Sequence, residues 1–102
     1  MRAAEAMREH HQERAAALIR VGMEWCGLDA EELQATARGD ERKALIALAV
    51  KRETTVPLDW IAQRLQMGAR STVSREVAAM AKRLASEPDL AKLYQAIVTA
   101  EV

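Results

Sequence analysis

The side chains best suited to chemistry lie between positions 70 and 82, where hydroxyl and basic groups recur. They are Arg70, Ser71, Thr72, Ser74, Arg75 and Lys82. Hydroxyl groups and the amides at a helix N-terminus suit phosphate oxygens. An arginine such as Arg75 can bond a guanine edge with two hydrogen bonds from the major groove. The pattern therefore predicts recognition of a nucleic acid.

The sequence offers no comparable set of catalytic residues. Cys26 is the only cysteine, so neither an internal disulfide nor a cysteine metal cluster is expected. His10 and His11 are adjacent and point about 100° apart on a helix, so they cannot chelate one metal ion together. The adjacent acids Glu31 and Glu32 suit the first turn of a helix better than a catalytic pair. We expect no enzyme activity, no cofactor, no metal site and no small-molecule substrate.

The charges are distributed unevenly along the chain. The net charge is zero over 102 residues, which argues against a uniformly basic surface. Residues 38–83 nevertheless hold ten basic and five acidic residues. Residues 1–37 hold four basic and seven acidic residues, and residues 84–102 hold one basic and three acidic residues. A middle region of +5 between flanks of −3 and −2 predicts a local basic face.

The composition predicts an all-α fold. Half of the residues are hydrophobic, only 3% are aromatic and there is no Phe, and alanine and leucine, both good helix formers, supply most of the apolar residues. We expect one domain over residues 1–102, a small bundle of five to six helices. Its parts are an N-terminal helix or arm over 1–26, a core over 40–86 and a C-terminal helix over 87–102.

Caps and periodic apolar residues predict where the helices lie. A long helix over residues 3–25, with a solvated polar first half, ends at Gly27. Asp29 caps a short helix that ends near Arg38-Gly39, and Asp40 caps the next one, over 41–53. The expected inward stripe of that helix is Leu45, Leu48 and Ala49. Trp25, Trp60 and Cys26 are expected to be packing residues, and His10 and His11 to be exposed.

Residues 58–77 form the most informative stretch. A helix that starts at Pro57 and runs to about Gln66 precedes a glycine turn, and a second helix covers 71–86. We expect four residues to fill the space between the two helices: Ile61, Leu65, Val73 and Val77. Ala62 permits a close crossing and Gly68 a sharp reversal. This pattern is typical of a helix-turn-helix, with 71–86 as the recognition helix in the major groove. Additional contacts to the DNA backbone are predicted for Gln63, Arg64, Thr54 and Thr55.

Residues 27–77 resemble the C-terminal region of REP-associated tyrosine transposase-like proteins. Four motifs carry the resemblance: Arg38-Gly39-Asp40, Lys51-Arg52-Glu53-Thr54-Thr55-Val56, Trp60-Ile61-Ala62-Gln63-Arg64-Leu65 and Met67-Gly68. The resemblance covers about half of the chain and implies a DNA-binding accessory domain derived from a mobile element.

The chain departs from that family in two ways. The family's nuclease uses a His-hydrophobic-His metal pair and a nucleophilic tyrosine, whereas here the histidines are adjacent and Tyr94 stands alone. The spacing from Leu65 to Val73 is eight residues, which is typical of the looser helix-turn-helix of Trp-repressor-like and replication-initiator domains.

The sequence thus predicts a double-stranded DNA-binding module, transposase-derived or a regulator, that is cytoplasmic and nucleoid-associated. Its expected partners are double-stranded DNA and a second copy of itself in a homodimer, and both action alone and action beside a separate catalytic protein fit the sequence. No membrane span is expected, because no apolar run approaches the roughly 18–20 residues required. The alternative is a protein-interaction or dimerisation module that uses the N-terminal helix and has little affinity for DNA.

Overall fold

A computed structural model describes the backbone of residues 2–100 and the side chains of residues 9–100. This part of the chain contains helices and no strand. The helices are α1 (Arg2–Cys26), α2 (Ala30–Ala35), α3 (Glu41–Glu53), α4 (Leu58–Arg64), α5 (Arg70–Ser86) and α6 (Pro88–Ala100). The predicted all-α bundle is confirmed. Among the described residues, no helix has both the length and the apolar character needed to cross a membrane.

Helix α3 is the centre of the bundle. It packs against α1, α4, α5 and α6, and every residue from Lys43 to Val50 is buried. The three residues of the predicted inward stripe, Leu45, Leu48 and Ala49, are buried as expected, but burial extends to every neighbour from Lys43 to Val50 because four other helices enclose this helix. Asp40 caps the helix as predicted, since its Oδ1 accepts a hydrogen bond from the backbone N–H of Arg42 at 2.9 Å.

Helix α1 lies against α3 with a glycine at the contact. A Cβ at Gly22 would lie 2.7 Å from Cγ1 of Ile46, so the two backbones can approach this closely only with glycine there. The helix ends at Gly27, which has φ +67° as expected for a C-terminal glycine. Trp25 was predicted to pack in the core, but 54% of it is exposed, because it lies on the outer side of the last turn.

The polar first half of α1 is only partly described. The predicted solvation of side chains 3–8 falls outside the described side chains. His10 is exposed as predicted. His11 is half-buried, which corrects the prediction, and its Nδ1 is buried without a hydrogen-bond partner among the described residues.

The short helix α2 ends three residues earlier than predicted. Asp29 caps it as expected, since its carboxylate accepts from the N–H of Glu32 at 2.8 Å. At Thr36, however, the backbone becomes extended, with φ −83° and ψ 158°. The end was placed near Arg38-Gly39, but residues 36–40 form a non-helical connection that leads to Asp40.

Candidate nucleic-acid interface

Helices α4 and α5 pack against each other through the predicted apolar residues. Ile61, Leu65 and Val73 are fully buried, and Val77 and Ala62 nearly so. Helix α4 starts at Leu58, with Pro57 in the N-cap position, and ends at Arg64, two residues before the predicted end. Trp60 is half-buried at the edge of this core. The two helices are therefore fixed relative to each other and to α3.

The turn between these helices uses two left-handed residues. Gln66 has φ +56° and Gly68 has φ +89°. Between them Met67 is fully buried, and its N–H donates to the carbonyl of Ala62 at 2.8 Å. This bond closes the C-terminus of α4 in the manner of a Schellman cap. A left-handed conformation costs a residue other than glycine about 1–2 kcal/mol, so Gln66 must be stabilised by its surroundings.

Lys43 supplies that stabilisation. Its side chain is completely buried, and its Nζ donates to the carbonyl oxygens of Gln66 at 3.1 Å and Thr36 at 3.2 Å. Burial lowers the pKa of Lys43 from its ordinary value, while the nearby carboxylate of Asp40 opposes that shift. One ammonium group therefore joins the turn between α4 and α5 to the connection between α2 and α3. The sequence analysis missed this residue, because a lysine is rarely fully buried.

The outward face of α5 carries most of the predicted site residues. Arg70, Ser71, Ser74, Arg75 and Lys82 are exposed, and Thr72 is half-buried. The exposed residues between Arg75 and Lys82 are the two alanines 78 and 79. No side chain caps the N-terminus of α5, because Ala69 stands in the cap position. This face combines small side chains, hydroxyl groups and cations.

Among the described residues, four of the ten basic residues between positions 38 and 83 are buried or form ion pairs: Lys43, Arg42, Arg83 and Arg75. Lys43 is buried, and Arg42 forms ion pairs with Asp40 and Glu32. Arg83 bonds to Glu87 at 2.7 Å and to Glu41 at 2.9 Å, and these bonds raise its pKa. The exposed cations of α5 are less constrained. Arg75 contacts only the neighbouring Glu76, at 3.3 Å, and Arg70 and Lys82 form no ion pair among the described residues.

Of the four remaining predicted contacts, one is buried and two line cavities beside α1. Thr54 was predicted to contact DNA, but it is buried and its hydroxyl donates to the carbonyl of Val50 at 2.8 Å. Thr55 is exposed and lines a cavity of about 200 Å³ beside α1. Arg64 stacks on the ring of Trp60 at 4.5 Å, and it lines an open cavity of about 300 Å³ whose other residues all belong to α1. Gln63 is exposed on α4.

The connection 36–40 lies against both the turn and α5. A Cβ at Gly68 would lie 2.8 Å from Cδ and 3.1 Å from Nη1 of Arg38, so the Arg38 side chain covers Gly68. A Cβ at Gly39 would lie 3.2 Å from the carboxyl group of Glu76 on α5. Arg38 is nevertheless exposed, and it forms no ion pair within the described part of the chain. The structure thus adds a cation beside the start of α5 that the site prediction did not include.

The described residues contain no group of three or more His, Cys, Asp or Glu side chains that could hold a metal ion. Cys26 is half-buried against the core, and burial raises the pKa of its thiol. No family model matches the chain, and no curated protein or solved structure shows significant similarity to it. The resemblance to transposase-associated proteins therefore stays a prediction.

Proposed function

We propose that this protein is a double-stranded DNA-binding module in which α4 and α5 act as a helix-turn-helix and α5 enters the major groove. The observation that carries the proposal is the outward face of α5. It presents Ser71, Ser74 and Arg75 on a helix that α3 and α4 hold in place. A derivation from a transposase, or a regulatory role, is part of the same proposal.

The physical fit has two parts. No side chain caps the N-terminus of α5, and the free backbone N–H groups of a helix N-terminus suit phosphate oxygens. The exposed alanines and serines keep the helix narrow enough to approach base edges, and Arg75 is long enough to reach a guanine. Its contact with Glu76 is solvent-exposed and therefore weak, so a nucleic acid can displace it.

The test compares two variants that lose the same charge. Arg75→Ala removes the cation from the proposed interface, whereas Lys92→Ala removes an exposed cation from α6. Fluorescence anisotropy with a labelled duplex, at low and moderate salt, should show salt-dependent binding by the wild type. We expect a loss of about 5- to 150-fold for Arg75→Ala, corresponding to roughly 1–3 kcal/mol for a guanine contact, and little change for Lys92→Ala. Absence of binding at low salt would refute the proposal.

Trp25 favours a second candidate function, a protein-interaction or dimerisation surface on α1. It is the large hydrophobic residue with the greatest exposure among the described residues, at 54%. An exposed tryptophan is typical of interface centres. Sedimentation velocity of the wild type and of Trp25→Ser separates the possibilities. Concentration-dependent association that disappears in the variant would support this function, which is compatible with DNA binding by a dimer.

A further inference from the structure

The connection 36–40 lies beside the proposed recognition helix. It carries an exposed arginine, Arg38, that forms no ion pair among the described residues. Arg38 covers Gly68, which is two residues before the start of α5. Gly39 lies against Glu76, which is six residues, or nearly two turns, into that helix. The connection therefore contacts both the turn and α5, although it precedes them by some thirty residues in the chain.

We propose that Arg38 binds a DNA phosphate beside the N-terminus of α5, and that Lys43 is the positioning residue that holds it there. This inference rests on the proposed function. Arg38 is exposed, is not paired with an acidic group within the described residues, and places its guanidinium over the turn that leads into the recognition helix. A guanidinium in that position suits a phosphate oxygen, because it can donate two parallel hydrogen bonds.

Lys43 fixes the distance between Arg38 and α5. Its ammonium binds the carbonyl of Thr36, two residues before Arg38, and the carbonyl of Gln66, two residues before Gly68. Because both acceptors belong to backbone, this lysine couples the position of one segment to that of the other. The buried ammonium itself cannot reach DNA, so its effect on binding must pass through Arg38 and the turn.

The experiment measures how the affinity for a labelled random-sequence duplex depends on salt. Each phosphate contact contributes about 0.9 to the slope of log K against log salt concentration. Arg38→Gln should reduce the slope by about that amount. Arg20→Gln is the matched control, since Arg20 is an exposed arginine on α1 paired only with Glu24, and it should leave the slope unchanged. Arg38→Lys should retain most of the slope because the charge is kept.

A second measurement addresses Lys43 without DNA. Lys43→Met keeps the apolar stem but removes the ammonium, so amide hydrogen exchange at Gln66 and Met67, whose N–H groups are hydrogen-bonded in the turn, should become faster while α1 and α6 stay protected. The same variant should show the reduced salt slope of Arg38→Gln. Unchanged exchange at these two amides would overturn the positioning role of Lys43.

The outcomes separate this inference from the proposed function. Salt-dependent binding by the wild type with an identical slope in Arg38→Gln would overturn the Arg38 contact and leave the proposed function standing. Absence of binding by the wild type would overturn both. Because Arg38 is exposed, its substitution does not threaten folding, and the decisive comparison does not depend on Lys43→Met being stable.

Discussion

Substitution of Gly68 by alanine tests the turn between α4 and α5 directly. Gly68 has φ +89°, a conformation that costs other residues about 1–3 kcal/mol. Alanine restricts the unfolded chain and recovers about 0.4–1 kcal/mol of that cost. The new Cβ would lie 2.8 Å from Cδ of Arg38, but that side chain is exposed and can rotate away. We expect a net loss of about 1–2 kcal/mol, or a Tm lower by about 4–16 °C for a domain of this size.

Thermal and urea unfolding followed by far-UV circular dichroism measure this loss, and two other glycines provide controls. Gly27→Ala has the same kind of backbone, with φ +67°, but a Cβ there meets no atom within 4 Å. It should lose similar stability and keep the DNA affinity of the wild type. The backbone at Gly39 has no positive φ, so Gly39→Ala should be nearly neutral in stability. Gly68→Ala should also bind DNA more weakly than Gly27→Ala, because Arg38 is displaced. A Gly68→Ala protein as stable as the wild type would refute the described turn.

Two further predictions concern the core and the cap of α3. Gly22→Ala should cost about 1–3 kcal/mol of stability in urea unfolding, because the new methyl group would overpack against Ile46. The loss should be smaller in an Ile46→Ala background, with a coupling energy between the two substitutions of at least about 0.5 kcal/mol. Additive losses would contradict the contact. Partial burial raises the pKa of the Asp40 carboxyl group, but its hydrogen bonds with Arg42 lower that pKa by more. The pKa of Asp40 therefore lies below its ordinary value of 3.8. Its contribution to stability is therefore complete above pH 3.8 and is lost as the pH falls through the lower folded-state pKa. The stability difference between wild type and Asp40→Asn should shrink as urea unfolding is repeated at pH values below 3.8, and a constant difference would refute this assignment.

The features that the sequence predicted well depend on short-range rules. Asp29 and Asp40 were recognised as caps because an acid before a run of helix formers satisfies free N–H groups within the next three residues. Gly27 was recognised as a helix end for a similar local reason. The packing of α4 against α5 could be predicted from the spacing of their apolar residues, because that spacing depends only on helix geometry.

The features that were missed depend on partners distant in the chain. Lys43 is buried because its ammonium meets a carbonyl 23 residues later, and no local pattern encodes that pairing. Trp25 fits the apolar stripe of α1, but the stripe does not show where the neighbouring helices end. The inward orientation of Thr54 could have been predicted, because a threonine at a helix end commonly donates its hydroxyl to the carbonyl four residues earlier.

The burial of α3 also has a consequence for how this chain must be made. Residues 44–50 form an uninterrupted apolar run, and they are covered from one side by α1 and from the other by α5 and α6. During synthesis the covering helices α5 and α6 emerge after α3, so this run stays exposed to aggregation until then. Lys43 and Lys51 flank this run, and charged residues beside an apolar run oppose its aggregation. Lys51 remains in solvent after folding, whereas Lys43 is withdrawn into the interior. A single ammonium group thus stands beside the apolar run before folding and bonds two backbone carbonyls, one of them in the turn before α5, afterwards.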